Sequence, residues 1–241
     1  MAAMTFTSKL LEKIVRSKDT TSYRFSRPPE YSFKAGQWFT IAIPSPEGIL
    51  DHHFSHADSP TESFIELTTR LTGSAFKNAL NALPLGAEVE IQGPYGSFLF
   101  AYDKPRIAFL TGGIGVTPVR SMLRYLADTN GEGRAPDQEL VIFYGSVTED
   151  GIVYKEEFDE FERVIPRLRV IHVITNPGET WKGYRGFITQ EVIEAELAEP
   201  NTWTYYIVGP PPMVVAMNKL MEQLAIPAEQ IVVESFAGYQ S

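Results

Sequence analysis

The sequence predicts an antiparallel β-barrel over residues 1–102, followed over residues 103–241 by an α/β domain with a five-stranded parallel sheet. Three observations predict it. Short alternating or β-branched stretches, separated by Pro and Gly turns, fill residues 1–100. From about Tyr102 onward, apolar strand-length runs alternate with helix-length segments. At the head of this second half, Ile107–Ala127 (IAFLTGGIGVTPVRSMLRYLA) reads as buried strand, glycine turn and helix in one sweep.

In the first half the strand signals are Lys13–Val15, Thr21–Phe25, Gln37–Ile43, Phe64–Thr69 and Glu88–Gln92. In Glu88-Val89-Glu90-Ile91-Gln92 the alternation is clean, so one face is wet. Turn signals lie at Arg27-Pro28-Pro29, Pro44-Ser45-Pro46-Glu47-Gly48, Leu85-Gly86 and Gly93-Pro94-Tyr95-Gly96. One helix is predicted, from Ser74 to Leu83. Strands at this spacing close into a small barrel. In the second half, strands are predicted at 107–111, 140–144, 168–174, 205–208 and 231–233. Helices are predicted at 118–127, 154–163, 189–196 and 213–224. Such alternation gives a parallel sheet covered on both faces. The boundary falls near Ala101–Pro105.

Composition narrows the function classes. Of 241 residues, 44% are hydrophobic and 21% charged, as in a soluble globular protein. A net charge of −9 argues against nucleic acid or an anionic membrane as the main partner. There is no run long enough to span a bilayer and no signal-peptide core, so a cytoplasmic location is expected. The chain has no cysteine, which removes disulfides, thiolate metal sites and cysteine-bound iron–sulfur clusters. Any electron chemistry then uses an organic cofactor or a separate protein.

The glycine turn carries the first chemical signal. Thr111, Gly112, Gly113 and Gly115 let the chain turn sharply and bring bare backbone close to a ligand. Thr117 is expected as N-cap and Pro118 at the first helical position. Val119, Met122, Leu123 and Leu126 follow at helical spacing, with Arg120 and Arg124 on another face. Unpaired N–H groups and the helix dipole then favour an anion, naturally a pyrophosphate. The standard Gly-x-Gly-x-x-Gly fingerprint is not met, because Pro118 stands at its third glycine. A second strand-to-helix turn, Gly209-Pro210-Pro211-Pro212-Met213, and a third at Gly145-Ser146 fall on the same carboxyl edge of the sheet.

Together these features resemble the ferredoxin–NADP⁺ reductase superfamily: a barrel of about 100 residues, a Gly-Gly-x-Gly-x-Thr-Pro turn, then Gly-Pro-Pro-x-Met. The likeness covers nearly the whole chain. It is nearest to stand-alone flavin reductases with a Glu-x-Phe-x-Gly-Tyr tail, here Glu234-Ser235-Phe236-Ala237-Gly238-Tyr239. The resemblance implies FAD on the barrel, NADPH or NADH on a Rossmann-like domain, and hydride transfer between them. It implies onward electron transfer to ferredoxin, flavodoxin or a small acceptor. The family's Arg-x-Tyr-Ser is matched by His52-His53-Phe54-Ser55. Phe54 replaces the aromatic that packs on the isoalloxazine, and Ser55 the hydroxyl near N5. His52 stands in place of the pyrophosphate-binding arginine. It lacks both the permanent charge and the bidentate fork, so weaker FAD binding is expected. Arg70, close to Thr68, is a substitute charge. Gly73-Ser74 resembles the family's phosphate turn in shortened form.

The tail resemblance assigns Phe236 to cover the flavin face and Glu234 to the hydride path. Where many relatives carry a cysteine before Gly-Pro-Pro, this chain has Val208, so that role does not transfer. Thr175-Asn176 replace the Ser-Arg commonly used on a 2′-phosphate, leaving Lys182 and Arg185 as the available charges. A metal at His52, His53 and His56 is disfavoured, since neighbours on a strand do not point one way. Two other readings stay open at this point. One is an electron-transfer subunit of a larger complex. The other is a nucleotide-binding regulator that has lost its flavin.

Overall fold

Alternation in the first half builds one six-stranded antiparallel sheet. Its strands are β1 (Met4–Ser17), β2 (Thr20–Ser26), β3 (Trp38–Ser45), β4 (Gly48–Ser55), β5 (Phe64–Arg70) and β6 (Glu88–Tyr95). Their order is β4-β3-β6-β1-β2-β5. This is a computed structural model, described over residues 3–46, 48–134 and 137–236. In β6, Val89 and Ile91 point inward while Glu88, Glu90 and Gln92 are exposed, as the alternation predicts. The inward set, including Phe25, Phe39, Ile41, Leu67 and Ile91, forms one core. Full burial of each such side chain stabilises by about 1.5–3 kcal/mol. Helix α1 (Ala75–Ala82) adds Leu80 to this core.

Three expectations are corrected here. The barrel is not closed: β4 and β5 are the ends of the sheet and no ladder joins them. After Ser55 the chain turns inward and crosses to β5 through the Ala57 N–H to Glu66 C=O bond of 2.9 Å. Secondly, Gly93-Pro94-Tyr95 is strand rather than turn, because Gly93 pairs with Met4 and Tyr95 with Trp38. Thirdly, the signal at Lys13–Val15 is a fragment of the 14-residue β1. That strand pairs with β6 through its first half and with β2 through its second, so its burial pattern changes along its length.

The second half builds a six-stranded parallel sheet. Its strands are β7 (Arg106–Gly112), β8 (Glu139–Ser146), β9 (Leu168–Ile174), β10 (Tyr184–Arg185), β11 (Thr204–Gly209) and β12 (Ile231–Ser235), in the order β10-β9-β8-β7-β11-β12. All five predicted strands are present. The sixth, β10, has two residues paired with Val173 and Ile174, too few to leave a period in the sequence. Helices α2 (Val116–Asp128), α3 (Lys155–Val164), α4 (Gln190–Glu196) and α5 (Pro211–Gln223) occupy the predicted connections. Ile107 to Leu110 are fully buried, which explains their uninterrupted apolar run. From β7 the chain works outward through β8 and β9 to β10, then returns to β11 on the other side of β7. The carboxyl ends of β7 and β11 therefore flank the point where strand order reverses.

The chain divides into two compact units. One contains the barrel residues to Phe100 together with Thr117–Asp128; the other contains Ala101–Val116 and the residues from Thr129 onward. Helix α2 starts at Val116, directly after a 3-10 turn at Gly113–Gly115. Thr117 is thus inside the helix rather than its N-cap, because the glycine turn is already helical in sense. Likewise α5 begins at Pro211, not Met213, with Pro210 as its cap.

Candidate functional site

In the barrel unit the predicted flavin residues gather along the open β4–β5 edge and around the start of α1. On β4, His52 and Phe54 share a face, as residues two apart must. Their rings are 5.0 Å apart, and lie 5.5 and 5.7 Å from Phe76 of α1. Burial, then neighbouring His53 and Lys77, holds the His52 pKa below its ordinary value, against the pull of Asp51. At neutral pH His52 supplies no permanent charge. His53 is on the opposite face, edge-on to Trp38 at 5.8 Å. Ser55 is paired with Trp38 at the end of β4 and is buried.

Ser55 sits on a rigid foundation that its own motif did not reveal. His56, the next residue, is fully buried and stacks on Phe33 at 3.7 Å. Its Nε2 lies 2.9 Å from the Tyr31 hydroxyl and its Nδ1 2.9 Å from Asp58 Oδ1. The Asp58 carboxylate also accepts the Glu66 N–H at 2.8 Å. Burial pushes the Asp58 pKa up, opposed by His56 and the Glu66 amide. The three histidines of this segment thus serve three different surroundings.

Thr68 and Arg70 on β5 are already engaged. The Thr68 hydroxyl bonds Ser22 Oγ at 2.6 Å, and Arg70 Nε lies 3.2 Å from Asp19 Oδ2. Gly73 takes φ +80, and Ser74 caps α1 by accepting the Lys77 N–H at 3.4 Å. Lys77, in the first turn of α1, was absent from the predicted set. Its signal was available: a lysine where a helix start favours acids.

In the α/β unit the two glycine turns are pressed together. A Cβ on Gly115 would lie 2.5 Å from the Val208 carbonyl oxygen and 2.6 Å from Gly209 Cα, so only glycine fits. A Cβ on Gly112 would meet Met213 Sδ at 2.6 Å. Gly113 is different: it adopts φ +54 and faces open space. The Tyr144 hydroxyl lies 3.3 Å from the Gly113 carbonyl oxygen and accepts the Val153 N–H at 3.1 Å. Tyr144 is a second residue that the sequence reading missed; it resembles any core aromatic on a buried strand.

Two hydroxyls on this edge are orphaned. Thr111 Oγ1 and Ser146 Oγ are buried and have no hydrogen-bond partner among the described residues. Buried hydroxyls are nearly always paired, so each calls for a partner outside the fold. Beside them, the Thr175 N–H donates to the Ser146 carbonyl (2.9 Å) and the Asn176 N–H to the Val147 carbonyl (2.8 Å). The turn expected at Gly145-Ser146 is the end of β8 instead, because Gly145 pairs with Gly112 and Val173, and Ser146 with Ile174. Arg185 Nη2 donates to the carbonyls of Trp181 (2.8 Å) and Gly178 (3.1 Å), shaping the exposed loop that carries Lys182. At the far side, Glu234 pairs in register with Val208, and the Phe236 N–H donates to the Gly209 carbonyl at 3.4 Å. The tail from Ala237, including Gly238 and Tyr239, lies outside the described residues.

These residues fit the two cofactors. Orphaned hydroxyls, a φ-positive glycine facing open space and two helix starts suit a dinucleotide. An unpaired sheet edge with aromatics and cations suits a flavin nucleotide. When bound there, FAD would be held by β4, β5 and α1, and NAD(P)H by the carboxyl edge of the parallel sheet.

Comparison with known proteins agrees. The family model for an oxidoreductase FAD-binding domain matches residues 7–100, and that for an oxidoreductase NAD-binding domain matches residues 109–219. Ferredoxin–NADP reductase B of Sorangium cellulosum is 32% identical over 216 residues, covering 86% of this chain and 86% of that protein. NADH-cytochrome b5 reductase 1 of Cryptococcus neoformans is 27% identical over 239 residues, covering 93% of this chain and 80% of that protein. A solved ferredoxin NADP⁺ reductase from Neisseria gonorrhoeae, with bound FAD and NADP, shares the fold with a TM-score of 0.82 at 17% identity. That match covers 96% of this chain and 98% of the other. The chain belongs to the ferredoxin–NADP⁺ reductase superfamily and is an FAD-dependent NAD(P)H oxidoreductase.

Proposed function

We propose that this reductase draws hydride from NADPH or NADH and delivers electrons to a separate carrier of the ferredoxin or flavodoxin type, or to a small acceptor, in the cytoplasm. Bound FAD supplies the step between a two-electron donor and a one-electron acceptor. The absence of cysteine supports a separate acceptor, because the chain cannot hold an iron–sulfur cluster on thiolates. The Sorangium relative, by its name, acts on ferredoxin.

The observation that carries the catalytic part is the placement of Ser55, buried at the end of β4 and directly before His56, which is fixed by Asp58. Matched to the family motif, Ser55 donates near N5, where negative charge develops. A donor held there lowers the barrier more than it strengthens ground-state binding. Glu234 and Phe236 place and cover the nicotinamide, and Val208 contributes packing only. Thr111, Gly112, Gly113, Gly115 and Gly209 seat the pyrophosphate of the nicotinamide nucleotide, with Ser146, Thr175 and Asn176 toward its adenosine end.

Ser55→Ala tests this. The variant is expected to keep its yellow colour and FAD affinity while anaerobic bleaching by saturating NADPH slows by about 10²–10³. Bleaching at the parent rate would remove Ser55 from the chemistry. NADPH oxidation that accelerates on adding ferredoxin or flavodoxin would support the acceptor assignment. An isolated chain that reduces neither would favour a subunit of a larger complex.

A further inference from the structure

The residue after Ser55 is a histidine with no freedom left. The His56 ring is fully buried, stacked on Phe33 at 3.7 Å with 10° between the planes, and 4.6 Å from the Phe39 ring. Both ring nitrogens are bonded, Nε2 to the Tyr31 hydroxyl and Nδ1 to Asp58 Oδ1, each at 2.9 Å. Tyr31 and Asp58 are themselves fully buried. The fold makes room for this chain of bonds inside a strand. Gly93 lies within β6, and a Cβ there would come within 2.8 Å of the Tyr31 hydroxyl and 2.9 Å of Phe39 Cβ. A glycine inside a strand weakens the sheet, so its use here marks a close approach that its neighbours need. Packing alone does not call for these polar groups. An apolar side chain would fill the slot between Phe33 and Phe39 with no hydrogen bonds to satisfy, whereas a buried polar group costs stability unless it is paired. Asp58 Oδ2 has no hydrogen-bond partner among the described residues, so part of that cost stands.

We propose that Tyr31, His56 and Asp58 form a buried clamp that orients Ser55 for hydride transfer, with His56 as the positioning residue. This rests on the reading of Ser55 as the donor near flavin N5. What the polar trio adds over an apolar filling is direction. An ionised Asp58 can only accept, so the His56 proton is on Nδ1 and the Tyr31 O–H donates to Nε2. Every bond then runs one way, from Tyr31 to Asp58, and the ring cannot turn without breaking both. The backbone is held on either side of the ring's own residue: the His56 N–H donates to the Gln37 carbonyl and the Ala57 N–H to the Glu66 carbonyl, each at 2.9 Å. Successive residues of a strand point to opposite faces, so a fixed His56 fixes where Ser55 points. A donor that must meet developing charge gains from that fixity more than one that only binds.

The test measures three things on the full-length protein: anaerobic bleaching of bound FAD by saturating NADPH, the FAD Kd, and the nitrogen-15 NMR spectrum of the imidazoles after flavin is removed. Tyr31→Phe takes away one hydroxyl and keeps the ring. It should slow bleaching by about 5- to 10-fold, as for one buried hydrogen bond, and leave the FAD Kd within about twofold of the parent. His56→Leu combined with Asp58→Asn empties the clamp without stranding a charge, and should slow bleaching at least as much. Asp58→Asn alone keeps an oxygen for the His56 Nδ1–H and should stay within about threefold of the parent rate. In a Ser55→Ala background, Tyr31→Phe should change the rate by less than about twofold, because the group being oriented is gone. Near neutral pH the flavin-free protein should show His56 with one ring proton, on Nδ1. Tyr31→Phe bleaching at the parent rate, equal slowing with and without the Ser55 hydroxyl, an FAD Kd that weakens as much as the rate falls, or a His56 proton on Nε2 would each overturn the clamp. Ser55→Ala bleaching at the parent rate is the separate outcome that removes Ser55 from the chemistry, and the clamp's purpose with it.

Discussion

Arg120 and Glu62 form a two-point ion pair, with Nη2 donating to Oε1 at 3.0 Å and Nη1 to Oε2 at 2.5 Å. Arg120 lies on α2, and Glu62 on the segment that leads away from Ser55. The same guanidinium donates to the Ala57 carbonyl at 2.9 Å, and the adjacent Ser121 hydroxyl to the Asp58 carbonyl at 2.5 Å. Both backbone acceptors lie within the anchored Ser55–Asp58 stretch. The Arg120 side chain is 3% exposed and Glu62 17%, so water does little to screen the pair.

Removing one partner of a buried pair leaves the other charge uncompensated, which costs about 3–5 kcal/mol. Arg120→Met is expected to lower unfolding stability by about that amount. Adding Glu62→Met should recover part of the loss, because the stranded carboxylate is then gone. Urea unfolding of the parent, both single variants and the double variant gives the coupling. A single-variant loss below about 1 kcal/mol would mean that the pair is structurally idle.

The sequence was most legible where one local cause sets the structure. The run Ile107–Leu110 reads as buried strand because both its faces are covered, and the glycines at 112, 113 and 115 read as a turn because Gly113 takes a positive φ while a Cβ at 112 or 115 would collide with Met213 or the Val208–Gly209 backbone. Ser74 was legible as a helix start because its hydroxyl closes the first turn. What stayed hidden depends on neighbours distant in sequence. Helical spacing places Arg120 on a separate face from the apolar residues, but does not say that Glu62 covers that face. His52 and Phe76 are ordinary singly and come together only when β4 and α1 meet. Strand β10 exists only because Val173 and Ile174 offer it an edge.

Arg185 has two tasks that kinetics can separate. Its carbonyl contacts at Gly178 and Trp181 hold a loop whose loss would affect either nucleotide. Its charge matters only for a 2′-phosphate, and no acid stands at Thr175-Asn176 to repel one. Arg185→Ala should therefore raise KM for both nucleotides modestly, and for NADPH by about a further 10-fold, as for one charged contact. Arg185→Lys should keep the NADPH preference while retaining some of the shared defect. Equal KM changes for NADPH and NADH in Arg185→Ala would leave the loop role and remove the phosphate role.

His172 predicts how stability responds to acid. It lies on β9, 5.7 Å ring to ring from Tyr144, and both ring nitrogens are buried without partners among the described residues. Burial, assisted by the Lys155 ammonium and opposed by Asp159, pushes its pKa down from 6.5 to about 4. The sign follows from which state binds the proton first. The unfolded chain, near 6.5, protonates before the folded one, so this contribution is complete above that pH. It is lost as pH falls from about 6.5 toward 4, at about 1.4 kcal/mol per unit. Urea unfolding at pH 7.5 and 5.5 brackets most of that onset while staying above the isoelectric point of about 5.0. The parent should lose about 1.4 kcal/mol more than His172→Phe between those two values, because phenylalanine keeps the ring beside Tyr144 but cannot take a proton. If parent and variant lose the same amount, His172 protonates as readily folded as unfolded, and the acid sensitivity of the fold has another source.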